Sequence, residues 1–599
     1  MNTPSLNPII MKKIVFCSLC ILFVLCLNAC TKPSDDANSI PTDSVTIATG
    51  QLLFSQNCGA CHNFKEDGIG PQLGGLTKEV SVDWMHTFIK DPKTAIESGD
   101  ERASELFAKY KTIMPSFPNY SNEQINGLIA FIHTKKAPDP RKSFLDPNAL
   151  KDPIPEKIPM SDLVIELETL AQLPASSEDP PLTRIAKLDV APHSEKLFVM
   201  DLRGKLYRLN TRLPALRTTS GGGSDGQGNK PEVYMDMTAL KPNFIHKPGL
   251  ATGFGSFAFH PEFAKNGLLY TSHTEPAGTA NADFGYADSI KVTLQWVLSE
   301  WKTKEPGAFP FSGESRELFR INMVSPIHGM QEIVFNPLAK PGDEDYGLLY
   351  VGIGDGGSAE NGYPFLCGSR EEMWGTVIRI DPRGTNSANG NYGIPAGNPF
   401  AKGENGKTRK EIFAYGFRNP HRITWSKAGQ ILVSNIGHHL VESLYIISPG
   451  SDSGWPTREG TFVIDPSQNM HNIYPLPADD PKNNFNYPVA QYDHDEGNAI
   501  AGGFEYWGSK IPQLKGKFVF GDIVQGRLFF VDMKDMKAGT QATIKEFRVS
   551  LDGKIKTLKE LSGADKVDER FGRDSKGELY LTTKPDGKVY SLVRARVMK

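Results

Sequence analysis

One pattern recurs six times between residue 161 and the C-terminus, and it limits the folds open to this chain. In each copy, an apolar strand is followed by a turn with Gly or Asn and then by a second strand of aromatic and branched residues. The second strands begin near Leu197, Leu268, Leu348, Ile431, Phe518 and Leu579. Six units at intervals of roughly 60–90 residues, without strong helical periodicity between them, predict an all-β six-bladed propeller over 161–599. A pair of β-sandwiches is the alternative.

Ring closure and composition fit this prediction. A closed ring hides its strand edges, and we expect the C-terminal run 588–593 to pair with an early strand such as 163–167. The chain is 39% hydrophobic and 23% charged, as in ordinary globular proteins. Its net charge of −3 argues against a nucleic-acid partner, which normally requires a basic excess.

The N-terminus has the features of an export signal. Lys12 and Lys13 precede the apolar run 14–27, which is shorter than the roughly 18 residues expected of a membrane-spanning helix, the alternative interpretation. The run ends in Leu-Asn-Ala followed by Cys30, which resembles a bacterial lipobox. The resemblance implies a signal peptide over 1–29, diacylation of Cys30, a tether over 30–44 and a lipid-anchored protein of the bacterial cell envelope, facing the periplasm or on the outer membrane.

A haem attachment sequence follows the tether. Cys58, Cys61 and His62 form CxxCH, in which two thiols add to the haem vinyl groups and the adjacent His binds the iron. A structural or redox CxxC is the alternative, which export and the following His disfavour. The sequence therefore predicts covalent haem c on Cys58 and Cys61 with His62 as an iron ligand.

The residues around this motif resemble class I cytochromes c. Pro71 lies in the loop that packs against the axial His in that family, and Met114 lies in a sequence similar to the family's axial-Met loop. Met85 is the alternative sixth ligand, but its neighbours indicate the core of a helix. The resemblance implies a small all-α cytochrome c domain over 45–136 that accepts and passes single electrons. A Pro-rich linker, 137–160, should hold it apart from the propeller.

Motifs in the large domain resemble the soluble quinoprotein sugar dehydrogenases, a family of six-bladed propellers that use PQQ. The similar segments are 256–263, 266–270, 354–357, 375–382, 415–420 and 453–456. The resemblance implies that the protein oxidises the C1 hydroxyl of an aldose or related sugar to a lactone, which requires a base for the proton and an acceptor for the hydride.

The family's site residues map onto six positions. His328 falls at the place of the catalytic base, and Asp355 matches the Asp that orients its ring. Arg418 and Asn419 match quinone contacts, and Arg418 also suits charge that develops on a quinone oxygen. The backbone carbonyls of Gly437 and His438 match ligands of the Ca²⁺ that polarises PQQ. Without the family, His328 is a turn histidine, Asp355 belongs to an Asp-Gly turn, and Arg418 pairs with a carboxylate across blades.

Several positions depart from the family pattern. Glu442 stands where the family has two carboxylates, no Lys occurs in 521–526, and the paired Arg of the last blade is reduced to Arg570 and Arg573. His494 lies among carboxylates, which suits a second metal site, an acid–base pair or a solvated loop. Cys367 has apolar neighbours and is expected to be a small buried residue.

Two functions follow from these features. The first is a membrane-anchored, PQQ-dependent sugar dehydrogenase that passes electrons to its own haem c and then to a cytochrome or respiratory chain. The alternative is a propeller without PQQ that binds a glycan or a partner protein, while its haem relays electrons to an external redox enzyme. Intact His328, Arg418 and Asn419 favour the enzyme, and the missing Lys and carboxylate favour the binding protein.

Overall fold

A computed structural model describes residues 39–59, 62–64, 67, 70–110, 113–138, 146–178, 181–209, 230–247, 251–403 and 406–598. The predicted signal peptide, Cys30 and Cys61 lie outside these residues. Among the helices of the described ranges, none is both long and apolar enough to cross a membrane.

The N-terminal domain is helical. Its α-helices are α1 (Ser44–Leu53), α2 (Val82–Lys90), α3 (Pro92–Glu97), α4 (Glu101–Tyr110) and α5 (Asn122–His133), and a π-helix, Phe54–Cys58, extends α1 to the haem motif. Ser121 and Gln124 form a capping box at the start of α5. The Ser121 side chain accepts from the backbone N–H of Gln124, and the Gln124 side chain accepts from the backbone N–H of Ser121.

Helices α1 and α5 cross at two glycines. A β-carbon added at Gly50 would lie 1.7 Å from the carbonyl oxygen of Gly127, so the backbones touch directly. Apolar side chains on both sides of this crossing, including Phe54 and Leu128, form the core of the domain. Met85 is buried with Ile125 and Ile129, which supports its interpretation as core.

The large domain is a ring of six four-stranded blades. The first strand, β1 (Met160–Gln172), belongs to the last blade. Blade 1 contains β2 (Ile185–Val190), β3 (Leu197–Asp201), β4 (Lys205–Leu209) and β5 (Glu232–Asp236). Blade 2 contains β6 (Phe254–Phe259), β7 (Leu268–Pro276), β8 (Leu294–Thr303) and β9 (Gly313–Met323). Blade 3 contains β10 (Met330–Phe335), β11 (Leu349–Ile353), β12 (Thr376–Ile380) and β13 (Ile412–Tyr415).

The other three blades follow in chain order. Blade 4 contains β14 (Asn419–Trp425), β15 (Ile431–Ile436), β16 (Val441–Ile447) and β20 (Ala490–Asp493); between β16 and β20, β17 (Arg458–Glu459), β18 (Phe462–Ile464) and β19 (Ile473–Pro475) form a separate sheet. Blade 5 contains β21 (Ile500–Glu505), β22 (Lys517–Asp522), β23 (Leu528–Asp532) and β24 (Lys545–Leu551), with β25 (Lys554–Lys556) added to β24. Blade 6 contains β26 (Arg570–Arg573), β27 (Leu579–Thr583), β28 (Lys588–Val597) and β1. Short helices α6 (Met237–Leu240), α7 (Phe263–Asn266) and α8 (Leu558–Ser562) lie in connections.

The six-bladed prediction is confirmed, and so is the way in which the ring closes. Each predicted second strand is the second strand of a blade. Strand β28 pairs with β1 in antiparallel register, with Leu592 opposite Leu167, so the two ends of the domain share blade 6. The first strands of the blades contact one another in a closed ring around the axis.

The second half of the linker is bound to the propeller. The N–H of Leu150 donates to the carbonyl of Ile473 at 2.9 Å, and the N–H of Ile154 donates to Asp493 at 3.1 Å. Lys157 lies 2.9 Å from Asp495. Residues 146–159 therefore lie against the propeller, because backbone N–H groups find acceptors in β19 of the separate sheet and in β20 of blade 4. That the linker holds the two domains apart stays a prediction.

Candidate functional site

A cavity of about 1030 Å³ lies at one end of the propeller axis. The residues just before or at the start of five first strands line it: Arg184, His328, Arg418, Ala499 and Arg570. The N-terminal domain covers this end of the ring, and its residues Asn57, His62 and Phe117 line the same cavity. The volume is close to the upper end of the range of small-molecule sites, about 300–1,000 Å³.

His328 and Asp355 form a pair in this cavity. Nδ1 of His328 lies 2.8 Å from Oδ1 of Asp355, and Trp455 Nε1 donates to the other carboxylate oxygen at 3.1 Å. Asp355 is fully buried. A carboxylate that accepts from Nδ1 leaves Nε2 of His328 as the acceptor, which is the arrangement a general base needs.

The backbone at His328 is held in an unusual conformation. Its φ is 52°, in the left-handed region that side chains other than Gly rarely adopt. Gly354 packs against it, since a β-carbon there would lie 2.4 Å from the His328 carbonyl oxygen. Strain of this kind persists where the surrounding structure fixes a functional side chain.

Arg418 and Asn419 reach the cavity from the start of blade 4, but Arg418 is already paired. Its guanidinium forms an ion pair with Glu360 and donates to the carbonyl of Gly437. Although burial opposes ionisation, Arg418 and His438 hold the pKa of Glu360 well below its ordinary value. The backbone N–H of Asn419 donates to the side chain of Asn435 at 2.9 Å, and the side-chain amide of Asn419 lies near that of Gln331.

The predicted calcium ligands lie on a loop that a carboxylate organises. Glu459 Oε1 accepts from four consecutive backbone N–H groups, those of residues 438–441, at 2.8–3.0 Å. The carbonyl of Gly437, however, faces the Arg418 guanidinium, a position that repels a dication. Among the described residues, no group of three or more His, Cys, Asp or Glu is arranged to hold a metal ion. These residues do not fit Ca²⁺ in the predicted role.

A buried cationic cluster lines the opposite wall of the cavity. Arg184, Arg570 and Lys584 are each more than nine-tenths buried, and Asp568 lies 3.0 Å from Lys584 Nζ and 3.7 Å from Arg570. Burial lowers the pKa of Lys584 to about 7, although Asp568 opposes the shift. Three basic groups around one carboxylate favour an anionic ligand, and these residues fit the carboxylates of PQQ.

The haem crevice has the predicted arrangement around its His. His62 Nδ1 lies 2.7 Å from the carbonyl oxygen of Pro71, so Nε2 is left for iron. A β-carbon at Gly70 would lie 2.5 Å from Cε1 of the ring, so the loop can close on His62 only with glycine. The irregular stretch that carries Met114 continues into Phe117 in the cavity wall. These residues fit haem c, and ligation by Met114 stays a prediction.

The structure gives partners to residues of uncertain role. His494 Nε2 lies 3.1 Å from Glu442, whose other oxygen accepts from the N–H of Ile500 at 2.9 Å, so His494 supports blade 4. Arg573 stacks on the ring of Trp507, 3.5 Å from its centroid. Cys367 is 4% exposed and lies in the hydrophobic core, as expected.

Sequence reasoning missed Arg184, Lys584, Glu360 and Glu459. Arg184 could have been found, because it immediately precedes the first strand of its blade, as Arg418 does and His328 nearly does. Lys584 immediately follows β27, whereas the segment 521–526, which contains no Lys, begins at the end of β22 in the previous blade. Nothing in the sequence around Glu360 and Glu459 predicts that they meet the 437–441 loop.

The fold and the site define a β-propeller protein with a haem-binding domain placed over its cavity. A family profile for cytochrome c matches residues 47–136, so the N-terminal domain is a cytochrome c domain. A profile for Glucose / Sorbosone dehydrogenase matches residues 246–564, more than half of the chain. The chain belongs to the glucose/sorbosone dehydrogenase family.

Curated relatives resemble parts of the chain. HIPL1 protein of Arabidopsis thaliana is 26% identical over 422 residues, which cover 63% of this chain and 57% of HIPL1. Human Hedgehog-interacting protein is 25% identical, with 60% of this chain and 46% of the relative covered. Quinoprotein glucose dehydrogenase B of Acinetobacter calcoaceticus is 24% identical, with 38% and 45% covered. The chain thus spans about half the length of these relatives.

Solved structures of sugar dehydrogenases are also similar. The PQQ-bound aldose sugar dehydrogenase of Streptomyces coelicolor aligns with a TM-score of 0.45 and 18% identity, over 72% of this chain and 98% of that one. The apo-form of the soluble Escherichia coli aldose sugar dehydrogenase aligns with a TM-score of 0.47 and 16% identity, over 72% and 100%.

Proposed function

We propose that this protein is a quinohaem dehydrogenase that oxidises the C1 hydroxyl of an aldose, or a related sugar alcohol group, with PQQ and passes the electrons to its own haem c. The observation that carries the proposal is the shared cavity. The His328–Asp355 pair, the cationic cluster and the residues of the haem crevice all line it. Family membership and the name of the Acinetobacter relative support the same reaction class.

The chain's own residues would perform the proton step. His328 accepts the proton of the sugar hydroxyl at Nε2, because its Nδ1 is directed at Asp355. Asp355 then stabilises the imidazolium through that hydrogen bond, and Trp455 fixes the carboxylate. PQQ, when bound, supplies the acceptor for the hydride that leaves C1, which completes the two-electron oxidation to the lactone.

Other residues would bind and orient. Arg570, Lys584 and Arg184 hold carboxylates of the cofactor at one wall, and Asn419 presents its amide from the other. The cytochrome c domain covers the cavity and limits access of bulk water. Haem c supplies a one-electron carrier, so oxidation of one sugar requires two successive transfers. Ca²⁺ has no role in this arrangement, since the Arg418 guanidinium faces the predicted carbonyl ligand, that of Gly437.

Location and electron acceptor belong to the same proposal. A lipid on Cys30 would anchor the protein in a bacterial cell envelope, where secreted cytochromes c are made, and a downstream cytochrome or respiratory chain would reoxidise the haem. Mass spectrometry of the mature N-terminus and fractionation of membranes test this part. An unmodified Cys30 in the membrane fraction would contradict the anchor.

The deciding experiment follows the haem spectrum. Oxidised protein is incubated with PQQ and then mixed with a panel of aldoses. Haem reduction that requires PQQ and is lost in His328→Ala is the expected result, while dithionite still reduces the haem of the variant fully. His193→Ala, outside the cavity, is the matched control.

A specific observation supports the second candidate, a propeller that binds without PQQ. Arg418 is neutralised by Glu360, so the residue expected to contact the quinone is already paired. The similarity to human Hedgehog-interacting protein points the same way. Calorimetry separates the candidates, because absence of PQQ binding together with absence of haem reduction by every sugar leaves the binding protein.

A further inference from the structure

The separate sheet of blade 4 lies between three parts of the molecule. We define it as the blade 4 insertion, residues 458–475, which contains β17, β18 and β19. These strands pair with one another and not with the strands of the blade. The insertion is therefore an addition to the propeller, and its contacts indicate its role.

One end of the insertion organises the cavity. Glu459, in β17, is 4% exposed and receives the four N–H groups of residues 438–441. This loop begins beside Gly437, whose carbonyl accepts from Arg418. A change in the position of the insertion would therefore move the cavity wall.

The other end touches the cytochrome c domain. His471 Nε2 donates to the backbone carbonyl of Asp67, and the same ring stacks on His439 with centroids 3.8 Å apart and planes at 21°. The His439 ring in turn lies 3.5 Å from that of His438. Three imidazoles thus form a continuous path from the cavity wall to the cytochrome c domain.

Asp67 belongs to the loop that supports the haem ligand. Its carboxylate accepts from the N–H of Gln72 at 3.0 Å and from Lys109 at 2.7 Å. Gln72 follows Pro71, whose carbonyl receives Nδ1 of His62. The contact of His471 is therefore made with the loop that fixes the haem crevice.

The linker is bound to the insertion as well. The N–H of Asp146 donates to Asn472 at 3.0 Å, Tyr474 donates to the Asp146 carboxylate at 2.8 Å, and Leu150 pairs with Ile473. Residues 471–474 therefore contact both the cytochrome c domain and the linker that follows it. Two independent sets of contacts converge on four consecutive residues.

We propose that the blade 4 insertion is the docking surface for the cytochrome c domain of the same chain, and that His471 is the positioning residue that fixes the haem crevice over the cavity. The domain then stays docked, instead of moving freely on its linker, and electron transfer to the haem does not depend on linker length. The proposal does not depend on sugar oxidation or on PQQ, since it concerns the contact between the two domains.

The test uses the full-length holoprotein without sugar or PQQ, with haem attached. Hydrogen–deuterium exchange is measured for peptides that cover 67–76 and 438–441, and small-angle scattering gives the radius of gyration. His471→Ala is expected to increase exchange about tenfold in both peptides and to enlarge the radius of gyration. Gln468→Ala, exposed on the same insertion, is the control and should change neither.

Two further variants make the result specific. His471→Phe keeps the stacking on His439 and loses the bond to Asp67, so the 67–76 peptide should respond more than the 438–441 peptide. Tyr474→Phe removes the bond to Asp146 and should loosen the linker alone. The haem absorption spectrum and thermal unfolding verify that each variant is folded. Unchanged exchange and scattering in folded His471→Ala and His471→Phe would overturn the proposal, whether or not the protein oxidises sugars.

Discussion

Nδ1 of His328 lies 2.8 Å from Oδ1 of Asp355, and the pairing of two strands in blade 3 creates this relationship. His328 precedes β10 and Asp355 follows β11, and the antiparallel register sets Met330 opposite Ile353. The end of one strand and the start of its neighbour therefore meet at the cavity. Since β-strand pairing fixes the backbone, the two side chains are positioned before any ligand binds.

Replacement of Asp355 by Asn tests this pair. The amide cannot stabilise an imidazolium, and its NH₂ group can turn the ring to the wrong tautomer. We expect the rate of haem reduction by sugar to fall by about 100-fold or more, because a positioned general base contributes about 10²–10⁴. Stopped-flow absorbance of the haem measures the rate.

The control for this variant is PQQ affinity, measured by calorimetry, which should stay within a few-fold of the parent protein. Dithionite should reduce the haem fully in both. An Asp355→Asn variant with the parental rate of haem reduction would show that the 2.8 Å contact has only a structural role.

The fold was predictable because each blade repeats the same local signal. Strands such as Leu197–Asp201 and Leu579–Thr583 are short, apolar and bounded by turns, so their number and order can be read without knowledge of their contacts. The linker was not predictable in the same way. Its prolines indicated an extended chain, but the acceptors that bind Leu150 and Ile154 are more than 300 residues away.

The site was predictable only where a family motif marked it. His328 and Asp355 meet as the motifs implied, whereas Arg418 meets Glu360, a partner that no spacing rule connects. Lys584 gains its importance from burial beside Asp568, which depends on the pairing of β26 with β27 in blade 6. The role of such a charged residue comes from its burial in a region of low dielectric, which the sequence does not reveal.

Glu459 is expected to hold the 437–441 loop. Glu459→Ala leaves three buried N–H groups and one half-buried N–H group without their acceptor. Each unmet buried group costs about 1–3 kcal/mol, so the free energy of unfolding should fall by about 3 kcal/mol or more. Glu459→Gln keeps an oxygen acceptor and should lose less. Urea unfolding followed by tryptophan fluorescence measures both variants.

The difference in stability between the parent protein and Glu459→Gln should depend on pH. Burial opposes the ionisation of Glu459, but His438 and the backbone N–H groups prevail and hold its pKa below the ordinary 4.5. A lowered carboxyl pKa stabilises the fold fully above the ordinary value, and that stabilisation is lost as the pH falls through the folded value. The advantage of the parent over Glu459→Gln should therefore disappear in acid. An advantage that is constant with pH would contradict this assignment.

The crossing of α1 and α5 predicts an asymmetry between two glycines. A β-carbon at Gly50 meets the Gly127 carbonyl at 1.7 Å, whereas one at Gly127 meets its nearest atom, the Thr46 carbonyl oxygen, at 3.3 Å. Gly50→Ala should destabilise the cytochrome c domain by about 1–3 kcal/mol. Gly127→Ala should be nearly neutral, since better helix propensity offsets the close contact. Guanidinium unfolding followed at the haem Soret band measures the stability of both variants. Equal losses of unfolding free energy would contradict the close backbone contact at Gly50.

Lys584 predicts a rise of stability with pH in the ligand-free protein. Burial lowers its pKa to about 7 in the folded protein from the ordinary 10.5, so between these values the unfolded chain binds more protons. Stability therefore increases as the pH rises through this window, and Lys584→Met should remove that part of the slope. Thermal unfolding of both proteins at several pH values measures the difference, with the exposed Lys515→Met as control. Saturation with PQQ should reduce the difference in pH dependence between the parent and Lys584→Met, because the PQQ carboxylates stabilise the charged form of Lys584. A difference between the parent and Lys584→Met that PQQ leaves unchanged would place the cofactor elsewhere in the cavity.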